Sequence, residues 1–142
     1  MSAWLIDTGP LVALIDEADE HHARVLPVFQ ELPALLWTTA PVIIETMLFL
    51  QESPEACSAL VEFLRTTRIR IEPVSSLEDL DACVELMAKY RNIPMDFADA
   101  SLVLLSEKTG VADILTIDAR GFRVFRINGR HAFHLVLDDF PG

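Results

Sequence analysis

The sequence predicts an α/β domain in which helices flank a small central parallel sheet, giving three layers. Short apolar runs alternate with longer segments of helical periodicity along most of the chain. Strands separated by helices form βαβ units, which build a parallel sheet covered on both faces. A length of 142 residues, 51% of them hydrophobic, fits a single domain over residues 1–142 with a substantial core.

The first half of the chain predicts two strands and four helices. Trp4 to Ile6 is an apolar strand broken at Asp7-Thr8-Gly9-Pro10, and apolar residues at helical spacing over 11–15 then predict a helix. Pro33 ends a second, amphipathic helix. Pro41 suits the first turn of a third helix, where its missing N–H costs nothing. The remaining predictions here are helices over residues 20–32, 42–50 and 54–67, and a strand over 35–38.

The second half continues the alternation and ends in a more irregular tail. It predicts strands over residues 69–74 and 113–117, and helices over 77–90 and 96–108. Gly110 is suited to close the last helix, because glycine readily adopts the left-handed conformation that follows many helices. Beyond Phe122 the pattern alternates twice around Asn128-Gly129, which indicates short strands joined by a tight turn.

Charge and composition limit the possible functions. A net charge of −11 argues against a protein that grips nucleic acid through a broad basic face, although divalent metal could neutralise acids locally. Cys57 and Cys83 have no further Cys or His at ligand spacing, so we expect both to be buried, reduced thiols. With neither a secretory signal nor an apolar run long enough to span a membrane, we expect a cytoplasmic protein without a membrane partner.

Four acids stand at the edges of strongly apolar runs: Asp7, Glu45, Asp99 and Asp118. Asp7 and Asp118 each follow a predicted strand, and functional crevices of open parallel sheets lie at the carboxyl ends of the strands. Several carboxylates in one pocket are costly unless a divalent cation holds them together. Oxygen ligands without a Cys/His cluster favour Mg²⁺ or Mn²⁺ over zinc. Such a centre can activate water and stabilise charge on an attacked phosphodiester.

Each acid also has an ordinary structural interpretation. Asp7 could cap the helix that follows it, and Asp118 could begin a turn towards Gly121. Glu45 could be an isolated acid on a thin solvent stripe of an otherwise apolar helix. Asp96 is better placed than Asp99 for capping, so we assign the chemistry to Asp99 and treat Asp96 as a secondary acid. The histidines lie far from the acids in sequence, which argues against a Ser or His nucleophile.

Taken together and in order, several segments of the sequence resemble the PIN-domain family, especially VapC-type ribonuclease toxins of bacterial toxin-antitoxin pairs. The resemblance spans nearly the whole chain and is carried by residues 5–14 with the following His21 and His22, by residues 40–46 and 96–103, and by 115–118 with Gly121-Phe122.

The resemblance implies an endoribonuclease that uses Mg²⁺ or Mn²⁺. Its catalytic and metal-binding acids would be Asp7, Glu45, Asp99 and Asp118, with Asp96 as a secondary acid. Hydroxyls of Thr8 and Thr116 would orient the carboxylates or a bound water. It further implies an RNA substrate, a cognate antitoxin protein as partner and a homodimer.

Four arginines follow directly on Asp118, at positions 120, 123, 126 and 130. We hypothesise that Arg120 and Arg123 meet substrate phosphates beside the metal. Arginines that only solvate an edge strand are the alternative.

Three other classes of protein also fit part of the pattern. A phosphatase of the haloacid dehalogenase type needs a second Asp where Gly9 stands. A receiver-like domain that binds Mg²⁺ needs a lysine at the end of a late strand, and none is found there. A PIN fold that serves as a binding module without nuclease activity is the third, and the presence of all four acids argues against it.

Overall fold

A five-stranded parallel sheet and the helices around it make up the computed structural model, which describes residues 2–141. The strands are β1 (Ala3–Ile6), β2 (Leu35–Thr39), β3 (Arg70–Glu72), β4 (Asp113–Leu115), β5 (Arg126–Ile127), β6 (His131–Ala132) and β7 (His134–Leu135). The helices are α1 (Thr8–Ile15), α2 (His22–Phe29), α3 (Ala40–Leu50), α4 (Pro54–Thr67), α5 (Leu77–Lys89), α6 (Phe97–Thr109) and α7 (Ala119–Phe122). A 3₁₀ turn over Val136–Asp139 follows β7. The predicted three-layer α/β architecture is confirmed.

The strand order of the sheet places a crevice beside its central strand. The order is β3-β2-β1-β4-β7, with every pairing parallel. The chain therefore builds outwards from β1 to β3 and then returns to the other side of β1 to form β4. In open parallel sheets the crevice for ligands lies at such a reversal, outside the carboxyl ends of the strands.

The core lies between the sheet and α6. Leu5 and Ile6 of β1 have no exposed surface, and α6 is buried from Ala98 to Ser106. A helix that is apolar around its circumference is stable only when neighbours cover it on all sides. Helices α3 and α5 pack directly against α6, as does β2.

A short helix that the sequence did not predict follows β4. Asp118 caps α7, and Phe122 and Phe125 then turn inwards and pack edge to face with ring centroids 5.1 Å apart. The predicted strand that begins at Phe122 therefore shrinks to Arg126–Ile127. The predicted helix over 20–32 is also shorter, since it runs from His22 to Phe29.

The tail forms the predicted turn but divides its strands between two sheets. Asn128 and Gly129 both have positive φ, at 53° and 68°, and join the antiparallel pair β5 and β6. Strand β7 instead extends the main sheet beside β4. His134 secures this edge, because its Nδ1 lies 2.9 Å from Asp113 Oδ1 and its Nε2 lies 3.1 Å from Asp139 Oδ2.

The cysteines only partly follow the prediction. Cys83 is fully buried in α5, and burial raises the pKa of its thiol. Cys57 is only partly buried, so the prediction of burial was wrong for this residue; it lies in α4, a helix with one apolar face and one solvent-exposed face. Within residues 2–141, no helix is long and apolar enough to cross a membrane.

Candidate active site

A pocket of about 410 Å³ opens at the reversal point of the sheet, and all four predicted acids line it. They come from four separate parts of the fold: the ends of β1 and β4, the middle of α3 and the start of α6. Asp96 lines the same pocket. The other lining residues are Thr8, Gly9, Val12, Asp19, His21, Phe49 and Ile117.

Asp7 is held between β1 and β4. Its backbone N–H donates to the carbonyl of Leu115 at 3.0 Å, so the residue continues the pairing of the two strands. Its Oδ1 accepts from the N–H of Thr8 at 2.8 Å, and its Oδ2 accepts from the hydroxyl of Thr116 at 2.7 Å. Asp7 therefore caps α1, as the structural interpretation had it, and lines the pocket as well.

Asp118 is tied to Asp7 through Thr116. The Thr116 hydroxyl donates to Asp7 and accepts from the N–H of Asp118 at 2.9 Å. Oδ1 of Asp118 accepts in turn from the N–H of Gly121 at 3.1 Å, which caps α7. A Cβ at position 121 would lie 2.6 Å from Asp118 Oδ2 and 3.0 Å from the ring of Phe125, so any larger residue there would displace the Asp118 carboxylate.

Asp96 and Asp99 fix one another at the start of α6. The N–H of Asp99 donates to Asp96 Oδ1 at 2.8 Å, and the N–H of Asp96 donates to Asp99 Oδ2 at 3.3 Å. This reciprocal arrangement is a capping box, in which the cap residue and the third helical residue satisfy each other's backbone N–H. The predicted capping role of Asp96 is confirmed, and Asp99 is buried beside it.

Glu45 reaches the pocket from α3, whose position relative to α6 is fixed by a buried pair of hydroxyls. Thr39 caps α3, and its Oγ1 lies 2.6 Å from Ser101 Oγ on α6. Ser101 donates to the carbonyl of Ala98, so Thr39 is the donor to Ser101. Glu45 is half-buried and faces the pocket, so it does not belong to a separate solvent stripe.

Three further residues of the pocket were missed from the sequence: Asp19, His21 and Phe49. Asp19 and His21 lie in the loop between α1 and α2, where Asp19 Oδ1 accepts from the N–H of His21 at 2.8 Å. His21 is therefore remote from the acids in sequence but close to them in the fold, while the expectation that no Ser or His acts as the nucleophile stays a prediction. Phe49 had a usable signal, since it is four residues after Glu45 on the same helical face.

The two arginines expected to contact RNA lie outside the lining of the pocket. Arg120 is exposed on α7, two residues after Asp118. Arg123 is paired with Asp138, and its Nη2 lies 2.9 Å from Asp138 Oδ1. Contact of either residue with RNA stays a prediction.

The family model of the PIN domain matches residues 4–127, and this match covers most of the chain. The chain belongs to the PIN-domain family.

Similar proteins agree with this assignment. Ribonuclease VapC26 of Mycobacterium tuberculosis is 24% identical over 134 residues, which are 93% of this chain and 98% of that protein. The crystal structure of Mycobacterium tuberculosis VapC20, described as a sarcin-ricin loop cleaving toxin, superposes with a TM-score of 0.72 at 20% identity. The superposition covers 81% of this chain and 89% of the VapC20 chain. The crystal structure of PAE2754 from Pyrobaculum aerophilum superposes with a TM-score of 0.52 at 18% identity. This superposition covers 85% of this chain and 86% of that one. At these identities the two structures show the fold alone.

Burial and mutual repulsion disfavour full ionisation of the acids in this PIN domain. Burial raises the pKa of Asp7 to about 6, against the opposing hydrogen bonds from Thr116 and Thr8. Burial, followed by the charges of Asp7 and Asp96, raises the pKa of Asp99 to about 8. Burial and the charge of Asp96 also raise the pKa of Glu45. No lysine or arginine is among the residues of 2–141 that line the pocket.

The donor set fits a hard divalent cation. The pocket offers carboxylate oxygens from several elements, and the hydroxyl of Thr8 is buried beside them without a hydrogen-bond partner in the described part of the chain. Oxygen ligands of this kind suit Mg²⁺ and Mn²⁺. As the side chains stand, no three His, Cys, Asp or Glu residues between positions 2 and 141 are arranged to hold a metal ion.

We predict that the metal-free domain loses stability as the pH rises. Carboxyl groups with raised pKa values are neutral in the folded domain at low pH. Their contribution to the free energy of unfolding is therefore fully present below about pH 4. It is lost as the pH rises through about 6 for Asp7 and about 8 for Asp99. In EDTA, Asp99→Asn should remove the upper part of this decline and raise the free energy of unfolding at pH 9 by about 1–3 kcal/mol. Urea unfolding at pH 5, 7 and 9 measures the effect.

Asp81→Asn is the matched control, because Asp81 is an exposed acid on α5. It should leave the pH dependence as in the wild type. An Asp99→Asn variant whose stability falls in parallel with the wild type up to pH 9 would contradict the prediction.

Proposed function

We propose that this PIN domain is an endoribonuclease that hydrolyses RNA phosphodiester bonds with Mg²⁺ or Mn²⁺. The observation that carries the proposal is the convergence of Asp7, Glu45, Asp99 and Asp118 on one pocket at the reversal point of the sheet. Ribonuclease activity in the name of VapC26, which aligns over 93% of this chain, supports it.

The roles follow from how each side chain is held. Asp7, Glu45, Asp99 and Asp118 are proposed as the ligands of the cation, which when bound would supply an activated water and charge stabilisation at the attacked phosphate. Thr116 keeps Asp7 and Asp118 at a fixed separation, since one hydroxyl bonds to both residues. The buried hydroxyl of Thr8 lies within reach of Glu45, whose pKa it lowers, and is available to that carboxylate, to a water or to the cation. Asp96 fixes the backbone N–H of Asp99 and is proposed as a positioning residue.

The chain is further proposed to be the toxin of a toxin-antitoxin pair and to act in the cytoplasm as a homodimer. Its net charge of −11 favours a small antitoxin with a basic segment, because opposite charges speed association and fix its orientation.

We predict that RNA cleavage requires the cation and the buried acids. Purified protein should cleave RNA with Mg²⁺ or Mn²⁺ and lose activity in EDTA. Asp7→Asn and Asp99→Asn should each lower kcat/KM on the order of 100-fold or more, because each removes a charge that holds the cation. Thr116→Val should cause a smaller loss of roughly tenfold, since it only releases the ligands from their fixed orientation.

Asp81→Asn again serves as the control and should cleave like the wild type. Activity at the wild-type level in either Asn variant would overturn the site assignment. Binding of Mg²⁺ without any cleavage would instead favour a PIN fold that acts as a binding module.

We predict that Arg120 and Arg123 contribute to holding the substrate. The double variant Arg120→Ala/Arg123→Ala should raise KM and weaken the dependence of cleavage on salt, because fewer phosphates would be neutralised on binding. Arg65→Ala is a suitable control, since Arg65 pairs with Glu62 on α4 and does not line the pocket. Unchanged cleavage and unchanged salt dependence would show that the arginines only solvate the surface.

We predict that the protein isolated from its native host carries a small co-encoded partner that suppresses RNA cleavage. Size-exclusion chromatography with light scattering would give the stoichiometry of the complex and of the free toxin. Addition of the purified partner should inhibit the wild type and form a complex with the inactive Asp99→Asn variant. A native preparation that is fully active and contains this chain alone would contradict the pairing.

A further inference from the structure

Phe49 stands exposed at the mouth of the acid pocket. It lies one helical turn beyond Glu45 on the same face of α3, and 69% of its surface is accessible to solvent. Its ring lines the acid pocket and also an adjoining groove that runs between α1 and the start of α4. A large aromatic ring therefore forms the rim between the proposed catalytic centre and the nearest open surface.

Exposure alone does not distinguish Phe49 from its neighbours. Ile44 and Leu48 on the same helix are each 61% exposed, but neither lines the acid pocket. Isolated exposed apolar residues are common on protein surfaces and need no explanation. The position of Phe49 beside buried carboxylates is what calls for one, because an apolar ring there weakens the hydration of charged neighbours.

The charge of the pocket makes an apolar contact useful for binding RNA. No lysine or arginine lines the pocket within residues 2–141, and five aspartates and one glutamate do. Phosphate neutralisation by side chains, the usual source of affinity, is therefore weak at this place. Base stacking on an aromatic ring is the other general source of affinity for unpaired strands, and it does not depend on the sign of nearby charge.

The remaining walls of the mouth suit a flat, apolar group with a polar edge. Val12 and Ile117 line the pocket with Phe49. His21, whose Nε2 lies 3.4 Å from Glu20 Oε1, supplies Nδ1 as a second ring nitrogen that can bond to a phosphate or to a base edge. Gly9 lies close against Ile117, since a Cβ at that position would be 3.3 Å from Ile117 Cδ1 and would require a small shift of that side chain.

We infer that Phe49 is the platform on which one unpaired RNA base stacks when the neighbouring phosphate enters the acid pocket. The inference rests on the proposed ribonuclease function and identifies the side chain that holds an unpaired base beside the cleaved bond. A base inside a duplex is already stacked on both faces and cannot reach the ring without being displaced.

Steady-state cleavage of a single-stranded oligoribonucleotide with Mg²⁺ tests the role of the ring. Phe49→Ala should raise KM roughly 10- to 100-fold while kcat changes little, since stacking of one base is lost and the catalytic acids stay in place. Phe49→Trp should restore KM, because indole stacks at least as well. Leu48→Ala is the matched control, for it removes an equally exposed apolar side chain from the same turn and should leave KM unchanged.

A binding experiment separates stacking from a merely structural effect. The inactive Asp99→Asn variant is titrated with an oligoribonucleotide that carries 2-aminopurine, whose fluorescence changes when the base leaves its neighbours. We expect this change with Phe49 present, its loss in the Asp99→Asn/Phe49→Ala variant, and much weaker binding of the same strand in a duplex.

The outcomes distinguish a failure of the proposed ribonuclease function from a failure of the stacking role of Phe49. If the wild type cleaves no RNA, the proposed function fails and the inference fails with it. If the wild type cleaves RNA but Phe49→Ala behaves like Leu48→Ala, or if the duplex is cut as readily as the single strand, only the stacking platform is overturned. A rise in KM that Phe49→Trp reverses supports it.

Discussion

The concentration of carboxylates around Asp7 is the constraint on which the rest of the structure depends. Asp7 and Asp99 are both more than nine-tenths buried, and neither has a lysine or arginine partner within residues 2–141. Buried acids without cationic partners weaken a fold at neutral pH, as their raised pKa values indicate. The domain keeps this arrangement because a large apolar core around α6 offsets its cost.

Helix starts replace basic side chains as the means of holding the acids. Asp7, Asp96 and Asp118 are the cap residues of α1, α6 and α7. The first turn of a helix presents unpaired N–H groups and a partial positive charge, which stabilise nearby carboxylates. Each of the bonded oxygens of Asp7 accepts a single hydrogen bond and keeps a second lone pair for a cation, whereas an arginine would compete with the cation for it. The capping and catalytic interpretations of these residues are therefore compatible.

Much of the fold could be predicted from sequence because the apolar patterns are strong. The boundaries of α4 were predicted to the residue, since Ser53 and Pro54 start the helix and its periodicity runs unbroken to Thr67. The four acids could be selected because each interrupts an apolar run. The region after Asp118 could not, because Phe122 and Phe125 alternate as in a strand but bury their rings through a single helical turn. That outcome depends on tertiary contacts with Tyr90 and Phe133, which periodicity does not contain.

The pocket also contains residues that no local pattern singles out. His21 and Asp19 reach the acids because the loop after α1 folds back towards α3, and the sequence of that loop carries no spacing related to Glu45 or Asp99. Sequence also did not reveal the partner of Arg123, which pairs with Asp138 fifteen residues further along the chain. Its contact with RNA stays a prediction.

The single hydroxyl of Thr116 makes the separation of Asp7 and Asp118 depend on the alignment of two strands. Thr116 follows β4, Asp7 follows β1, and Ile6 pairs with Leu115 just before them. At the opposite end of β4, Asp113 is fixed by His134. Any mutation or ligand that shifts β4 along β1 will therefore change the distance between the two acids, so a compound bound beside Asp113 and His134 would disturb the centre without entering it.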